Sequence, residues 1–533
     1  MGTYFNPGKS GFERIRKEEY VDKTGLISLL NGTLDSTRGL TCISRPRRFG
    51  KSYVTQMLCA YYDRSCDAEE LFRDLAIAND PSFHEHLNRY IVISLDLTSF
   101  VSMAKRDGLA MRDIPRLIEA RLLSELREEY PELGSGVSLS GGLIQLVERE
   151  KCKIVFIIDE WDAVIREAPD DQEAQKNYLY MLRSWFKNAN FTSKVVAAAY
   201  MTGILPIKKD GSQSAISDFN EFTMIKPRMF GEYVGFTEPE VAALCEKHGV
   251  DFARMKQWYD GYYFQGVGSV YNPNSVMKAI QYRDFDSYWV ETSAAESLMD
   301  YIRRDFKGLS RTIAELIGGV DVRVSTLGFA NDLKTFRGKD DVLTLLIHLG
   351  YLAYNSENET VHIPNEEIRR EFSRAIRNVE NGETVRRLQE SDRLFEDTIH
   401  MNEDAVAAQI EKVHTEETSP LHYNREESLR SVIKLAYYTY RDYYLQWEEL
   451  PTGDGYADVV YIPRRNSEWP ALVIELKWNQ NAESAIDQIM KKQYPEGLRN
   501  LDCEILLVGI SYNKSAPAGE RKHQCKIIRL ARE

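Results

Sequence analysis

The chain has no Cys-x-x-Cys pair, no His-Glu-x-x-His, no apolar run of 18 residues and no low-complexity tract. Each absence excludes a class of protein. The seven cysteines, at positions 42, 59, 66, 152, 245, 503 and 525, are odd in number and scattered. That spacing fits reduced core thiols rather than a disulfide framework or structural zinc. Without a long apolar run, no helix is expected to span a bilayer. Proline is scarce, at 17 residues, while 11% of the chain is aromatic, which argues against disorder. The opening MGTYFNPGKSGFERIR has no apolar signal core, and Asn6 stands where myristoylation needs Ser or Thr, so the expectation is a cytoplasmic protein with no membrane partner. Basic charge is also in deficit, with 68 Lys and Arg against 81 Asp and Glu. Bulk attraction to nucleic acid is thereby excluded. The deficit is uneven: residues 421–533 hold 16 of each sign and the preceding 420 hold 52 basic and 65 acidic. A phosphate-binding patch is better sought in the balanced C-terminal part.

At 533 residues and 43% hydrophobic, the chain is long enough for about three or four domains. The expected fold class is α/β and multidomain. Leu40–Ser44 is a short β-rich run, and Tyr53–Tyr62 a mostly apolar helical stretch. Between them lies Arg45-Pro-Arg-Arg-Phe-Gly-Lys-Ser52. Strand, loop ending in Gly-Lys-Ser, then helix is the context of a phosphate-binding loop. Arg48, Phe49, Gly50, Lys51 and Ser52 are candidate ATP contacts. Lys51 would reach the β- and γ-phosphates, Ser52 would ligate Mg²⁺, and Gly50 would allow close backbone approach. An ordinary basic turn is the bland alternative; Gly8-Lys9-Ser10, with no strand before it, reads as one. Lys153–Glu160 is an unbroken apolar strand ending in Asp159-Glu160, as in a parallel strand buried on both faces. Asp159 could join the Mg²⁺ shell and Glu160 could polarise a water; a strand end with a capping Asp is the alternative. Tyr90–Leu97 and Val195–Met201 are spaced as further strands, and Thr202 could sense the γ-phosphate. Arg183 and Arg228 are conceivable arginine fingers.

After Met224 the pattern is mostly helical, and the aromatics of Trp258–Phe264 read as core. A helix over Val342–Leu349, strands over Gly350–Tyr354 and Thr360–Ile363, and a helix Glu366–Ile376 capped by Asn365 suggest a winged-helix-like module. Residues 378–420 read as a charged helical connector.

Toward the C-terminus, Asn424-Arg-Glu-Glu427 opens an amphipathic helix, and Glu449–Asp458 turns into the strand Val459–Ile462. The strand Ala471–Lys477 follows. Alternate residues of a strand share a face, so Glu475 and Lys477 point together, opposite Ile474 and Leu476. With Asp458 on a neighbouring strand, two carboxylates and an ammonium converge. Asp458 and Glu475 offer hard oxygens to Mg²⁺, or to Mn²⁺ in its place. Lys477 would orient a water or neutralise developing charge. Gln488, on the helix Ala482–Lys492, could steady the site, and Glu427 is either a further catalytic carboxylate or half of a capping box. Lys491 and Lys492 are candidate phosphate contacts. Glu-x-Lys on a strand can equally be a solvated pair.

Phe12–Arg16, Tyr20-Val-Asp-Lys-Thr24 and Ser44–Ser52 resemble the AAA-ATPase-like proteins fused to a C-terminal PD-(D/E)XK nuclease-superfamily domain. So do Thr202-Gly203, Tyr259–Tyr262, Tyr271–Pro273 and Ile363–Asn365, while Thr452–Asp458, Ile474–Lys477 and Gln488 with Tyr494 look like the nuclease motifs. The chain departs at Arg45, where a general Walker loop has glycine, and at Ala457, where the nuclease motif has proline. The resemblance implies a P-loop ATPase of the ASCE, AAA-like type over 1–235. A helical lid with the winged-helix-like region would cover 236–377, the connector 378–420, and a restriction-endonuclease-like α/β domain 421–533. It implies ATP and Mg²⁺ as ligands and nucleic acid, DNA before RNA, as partner. The expected function is an ATP-gated nuclease, in defence or mobile-element control, which could assemble as a homo-oligomer. The alternative is a nucleotide-dependent switch or scaffold whose nuclease-like domain binds without cleaving.

Overall fold

The computed structural model describes residues 2–131, 136–207, 209–210, 213–214, 216, 218–289, 309–317, 319–327, 329, 336, 338–377, 383–417, 429, 433, 436–437, 444–452, 455–463, 469–491, 503–517 and 521–530. The chain divides into two compact units, Met1–Tyr301 with Val322–Glu371, and Ile302–Asp321 with Phe372–Glu533. Among the described residues no helix is long and apolar enough to cross a membrane.

The first unit is built on five strands: β1 Leu40–Ser44, β2 Ile91–Asp96, β3 Ile154–Asp159, β4 Val196–Gly203 and β5 Asn220–Phe222. They pair in the order β2-β3-β4-β1-β5, all parallel. β3 is buried from Ile154 to Ile158, as its unbroken apolar sequence requires of a strand covered on both faces. Helix α1, Lys51–Tyr62, follows β1, and the short helix α2, Ala163–Glu167, follows β3. β4 therefore lies between the strand that enters the Gly-Lys-Ser loop and the strand that ends in Asp159.

Two three-stranded antiparallel sheets also belong to this unit, beside a two-stranded pair of Lys209–Asp210 with Gln213–Ser214. One pairs β6 Phe236–Thr237, β7 Tyr262–Phe264 and β8 Gly268–Tyr271 in the order β6-β8-β7, with helix α3, Pro273–Tyr282, after it. The other has β9 Val322–Arg323, β10 Ala353–Asn355 and β11 Thr360–His362 in the order β9-β11-β10. Helices α4, Lys339–Leu349, and α5, Glu366–Arg377, flank its hairpin. This is the expected helix, two-stranded wing and helix, with a third short strand that nothing in the local pattern of residues 322–323 announces. Trp258, Tyr259, Tyr262 and Phe264 are buried and Tyr263 is exposed. Gly261 has φ +118°, and a Cβ there would run into the backbone of Pro364. That close approach joins the turn before β7 to the turn before α5.

The second unit carries β12 Tyr444–Thr452, β13 Gly455–Pro463, β14 Ala471–Trp478, β15 Ile505–Tyr512 and β16 His523–Leu530, in that spatial order. Only β14 and β15 are parallel. Alternation along β14 splits the core in two. Leu472, Ile474 and Leu476 pack with Leu394, Val406 and Ile410 of helices α6, Glu383–Ile399, and α7, Glu403–Glu417. Ala471 and Val473 pack with Ile486 and Ile489 of α8, Ala482–Lys491. The stretch expected as a connector thus supplies, through Leu394 and Val406, part of this core. The helix expected from Asn424 lies largely outside the described residues; Leu429, Ile433, Ala436 and Tyr437 of it are buried in the same cluster.

Candidate functional site

The first constellation forms at the C-terminal ends of β1, β3 and β4. Gly50 adopts φ +88° as the residue that opens α1, a left-handed conformation that glycine takes without strain. A Cβ at Gly50 would meet nothing within 4 Å, which leaves the backbone open to a ligand. Lys51 is 4% exposed; its Nζ donates to the carbonyls of Arg45 at 3.1 Å and Pro46 at 3.0 Å and pairs with Glu160 at 3.2 Å. The Ser52 side chain lies beside the Asp159 carboxylate and favours its charged form. Burial pushes Asp159 up to about 6, against Ser52 and Lys51. Thr202 Oγ1 is fully buried and has no hydrogen-bond partner among the described residues.

Glu160 sits at φ +52°, just past the strand end. Arg166 of α2 holds it through a short Nη2–Oε2 contact and also reaches Asp162 at 3.1 Å. Asp162 is itself fixed by the backbone N–H groups of Ile204 and Leu205, at 3.2 and 2.8 Å. Burial raises the Glu160 carboxyl, but Lys51, Arg166 and Arg47 more than offset it and hold the group below its ordinary range.

The run Arg45–Arg48 divides three ways. Arg45 is fully buried, donates to the carbonyls of Ser44, Phe222 and Phe230, and lies 5.1 Å over the Phe264 ring. Its departure from glycine therefore ties the loop into the core rather than presenting a charge to a ligand. Arg48, at φ +67°, donates to the Tyr288 carbonyl. Arg47 is half-buried, among Arg166, Glu160, Tyr351 and Glu167, with no hydrogen-bond partner for its guanidinium among the described residues. Phe49 packs edge-on against Tyr262, centroids 5.5 Å apart. The side chains of Arg48 and Phe49 are thus tied to Tyr288 and Tyr262. Arg47 and Arg166 were not among the residues that the motif pattern singled out. Two adjacent arginines look alike in sequence, and Arg166 carries no motif. Arg183 lies over the Tyr180 ring, and Arg228 is exposed.

In the second unit, Asp458 and Glu475 lie one step beyond the Val459–Ile474 pair of the antiparallel β13–β14 ladder. Asp458 is 9% exposed and accepts from the Leu476 N–H at 2.9 Å. Glu475 is 2% exposed; its Oε1 accepts from Lys477 Nζ at 3.3 Å and, through a short contact, from Gln488 Nε2. Gln488 is presented by α8, which can approach because a Cβ at Gly509, the residue paired with Glu475, would stand 2.5 Å from the Ala482 carbonyl. Ser511, paired with Lys477, is fully buried and its Oγ has no partner among the described residues. Lys491 is exposed; Glu427, Lys492 and Tyr494 lie outside the described residues. Among the described residues no group of three or more His, Cys, Asp or Glu is arranged to hold a metal. Two buried carboxylates instead suit a hard, hydrated ion such as Mg²⁺, which keeps waters and phosphate oxygens in its shell.

Residues 7–212 match the family described as predicted AAA-ATPase, and residues 424–517 match the PD-(D/E)XK nuclease superfamily. An uncharacterized protein in the vnfD 5′ region of Azotobacter chroococcum mcd 1 is 27% identical over 314 residues, 56% of this chain and 56% of that protein; the match thus spans just over half of that relative's length. Among solved structures, the Walker-type ATPase PABY2304 of Pyrococcus abyssi aligns over 66% of this chain and 96% of its own, at 12% identity and TM-score 0.33. The ORC2 protein of Aeropyrum pernix aligns over 68% and 96%, at 13% identity and TM-score 0.31. The chain thus joins an AAA-ATPase-like region to a C-terminal region of the PD-(D/E)XK nuclease superfamily.

Proposed function

We propose that the chain binds and hydrolyses ATP at the Gly50–Lys51–Ser52 loop and cleaves phosphodiester bonds of DNA at the Asp458 site. The observation that carries the nuclease half is the convergence of Asp458, Glu475, Lys477 and Gln488 on one buried sheet face. A merely binding domain has no use for a buried carboxylate pair with an ammonium against it, because burying charge is costly unless it is paired or holds a metal.

Asp458 and Glu475 would hold Mg²⁺, which when bound lowers the pKa of its water and stabilises the leaving oxygen. Gln488 fixes the Glu475 carboxylate through Oε1, and Lys477 places a positive charge where the phosphodiester gains negative charge. At the nucleotide site Ser52 and Asp159 would hold Mg²⁺, Lys51 would bind the β- and γ-phosphates and Glu160 would take the proton of the attacking water. Binding of ATP gates cleavage in this reading.

The test is cleavage of single-stranded DNA, double-stranded DNA and RNA with Mg²⁺ or Mn²⁺, with and without ATP, beside Asp458→Ala. Metal-dependent DNA cleavage that disappears in the variant is the expected result. Cleavage that survives in Asp458→Ala, or none with any substrate, would overturn the nuclease reading in favour of a nucleotide-dependent switch.

A further inference from the structure

We propose that Arg47 and Arg166 form an intramolecular clamp on the γ-phosphate of ATP, and that Arg166 exchanges Glu160 for that phosphate during turnover. This rests on the ATP reading of the site. Three cations, Lys51, Arg47 and Arg166, surround one carboxylate, Glu160, with Lys51 at 3.2 Å and Arg166 closer. A carboxylate whose two oxygens are each held by a cation, Oε1 by Lys51 and Oε2 by Arg166, is a poor proton acceptor. It becomes a base only when those cations find another anion. The triphosphate end supplies one, because its γ-oxygens match the planar fork of a guanidinium.

Two further features point the same way. Arg47 is half-buried beside the like charge of Arg166 and has no hydrogen-bond partner among the described residues. Glu160 is the anion the two guanidinium groups share, and its single charge leaves room for a second anion beside them. Arg166 also has a second anchor in Asp162, which the Ile204 and Leu205 N–H groups hold in place. Its fork can therefore leave Glu160 and keep one carboxylate as a pivot. In the step that follows, the water oxygen attacks the γ-phosphorus, and the bond to the β–γ bridging oxygen breaks with its electron pair leaving on ADP. The water proton passes to the freed Glu160, while Arg47 and Arg166 offset the charge on the γ-oxygens. Arginine acting on a transferring phosphoryl group is supplied either in cis or by a partner; here it is in cis.

The experiment is calorimetric titration of the full chain, with Mg²⁺, by ADP and by the β,γ-imido analogue of ATP. Wild type is compared with Arg47→Gln, Arg166→Gln, Arg166→Lys, and Arg166→Gln combined with Glu160→Gln. Each Arg→Gln change is expected to weaken the triphosphate analogue about ten- to a hundredfold while ADP changes less than about twofold. Arg166→Lys keeps a charge against Asp162 and guards against loss of folding, and Arg47→Gln, which breaks no hydrogen bond, carries no such burden. The loss is expected to persist in the Glu160→Gln background. Equal weakening of both nucleotides would overturn the clamp, as would a loss that vanishes once Glu160 is neutral, since Arg166 would then merely balance Glu160. Wild type that binds neither nucleotide would instead refute the ATP reading itself. Turnover per chain that climbs with protein concentration would overturn the assignment in cis.

Discussion

Glu367 offers a measurable consequence of burial. Only 1% of it is exposed, at the start of α5, where its Oε1 accepts from the Ser275 hydroxyl at 2.9 Å and the Tyr288 N–H at 2.7 Å. Burial raises its pKa from 4.5 to about 8; the Ser275 and Tyr288 hydrogen bonds oppose the rise and Glu371 adds to it. The folded state therefore keeps a proton that the unfolded chain loses above pH 4.5, so stability falls as pH climbs through this window. The interval from 4.5 to about 8, at about 1.4 kcal/mol per pH unit, is worth about 5 kcal/mol in total. That figure is an upper bound, because surroundings relax when a buried carboxyl ionises. Glu367→Gln keeps the accepting oxygen and removes the titration. At pH 4.5 the variant is expected to match wild type within about 1 kcal/mol. Its advantage should then grow by up to about 1.4 kcal/mol per pH unit and level off above pH 8. A chain of two compact units has no single unfolding free energy. The comparison is therefore best made by native-state hydrogen exchange on peptides of the first unit at pH 5, 6, 7 and 8. A difference between the two proteins that stays flat across this range would refute the reasoning.

Other outcomes follow from single contacts. Lys51→Met is expected to weaken ATP binding about a hundredfold or more in a titration, since it removes a charge-assisted phosphate contact; unchanged affinity would place the nucleotide elsewhere. Gly203→Ala puts a Cβ 2.7 Å from Trp161 Cδ1 and 2.8 Å from Asp162 Oδ1, so about 1–3 kcal/mol of stability should be lost in chemical denaturation. Gly509→Ala drives a Cβ to 2.5 Å from the Ala482 carbonyl, which should displace α8 and, through Gln488, cut DNA cleavage more than it cuts ATP hydrolysis. Equal losses in the two activities would show general unfolding instead.

Much of the fold was legible because its signals are local. The unbroken apolar run of β3 and the strand–loop–helix around Gly50 depend on residues within about ten positions of one another. So does the placing of Glu475 and Lys477 on one face, which needs only the two-residue period of a strand. The wing of residues 353–362 was legible for the same reason, whereas β9 was not: two residues make a strand there only because β11 offers them a partner. The helices at 383–417 read as a connector because their charge was conspicuous, but Leu394, Val406 and Ile410 give them a buried stripe.

The sequence by itself determined the two chemistries on offer: a Gly-Lys-Ser turn between strand and helix, and an alternating strand that carries a carboxylate and an ammonium together. The tertiary structure alone decided which residues stand at each place. It buries Arg45 among the carbonyls of Phe222 and Phe230, turns Arg48 toward Tyr288 and leaves Arg47 facing Glu160. Three arginines within four positions have the same local preferences. Partners more than a hundred residues away, Phe264 against Arg45 and the Tyr288 carbonyl against Arg48, distinguish them. Asp458 meets Glu475 for a related reason: strand register is set by the packing of whole faces, and a slip of one residue would point the carboxylate to the opposite side of the sheet.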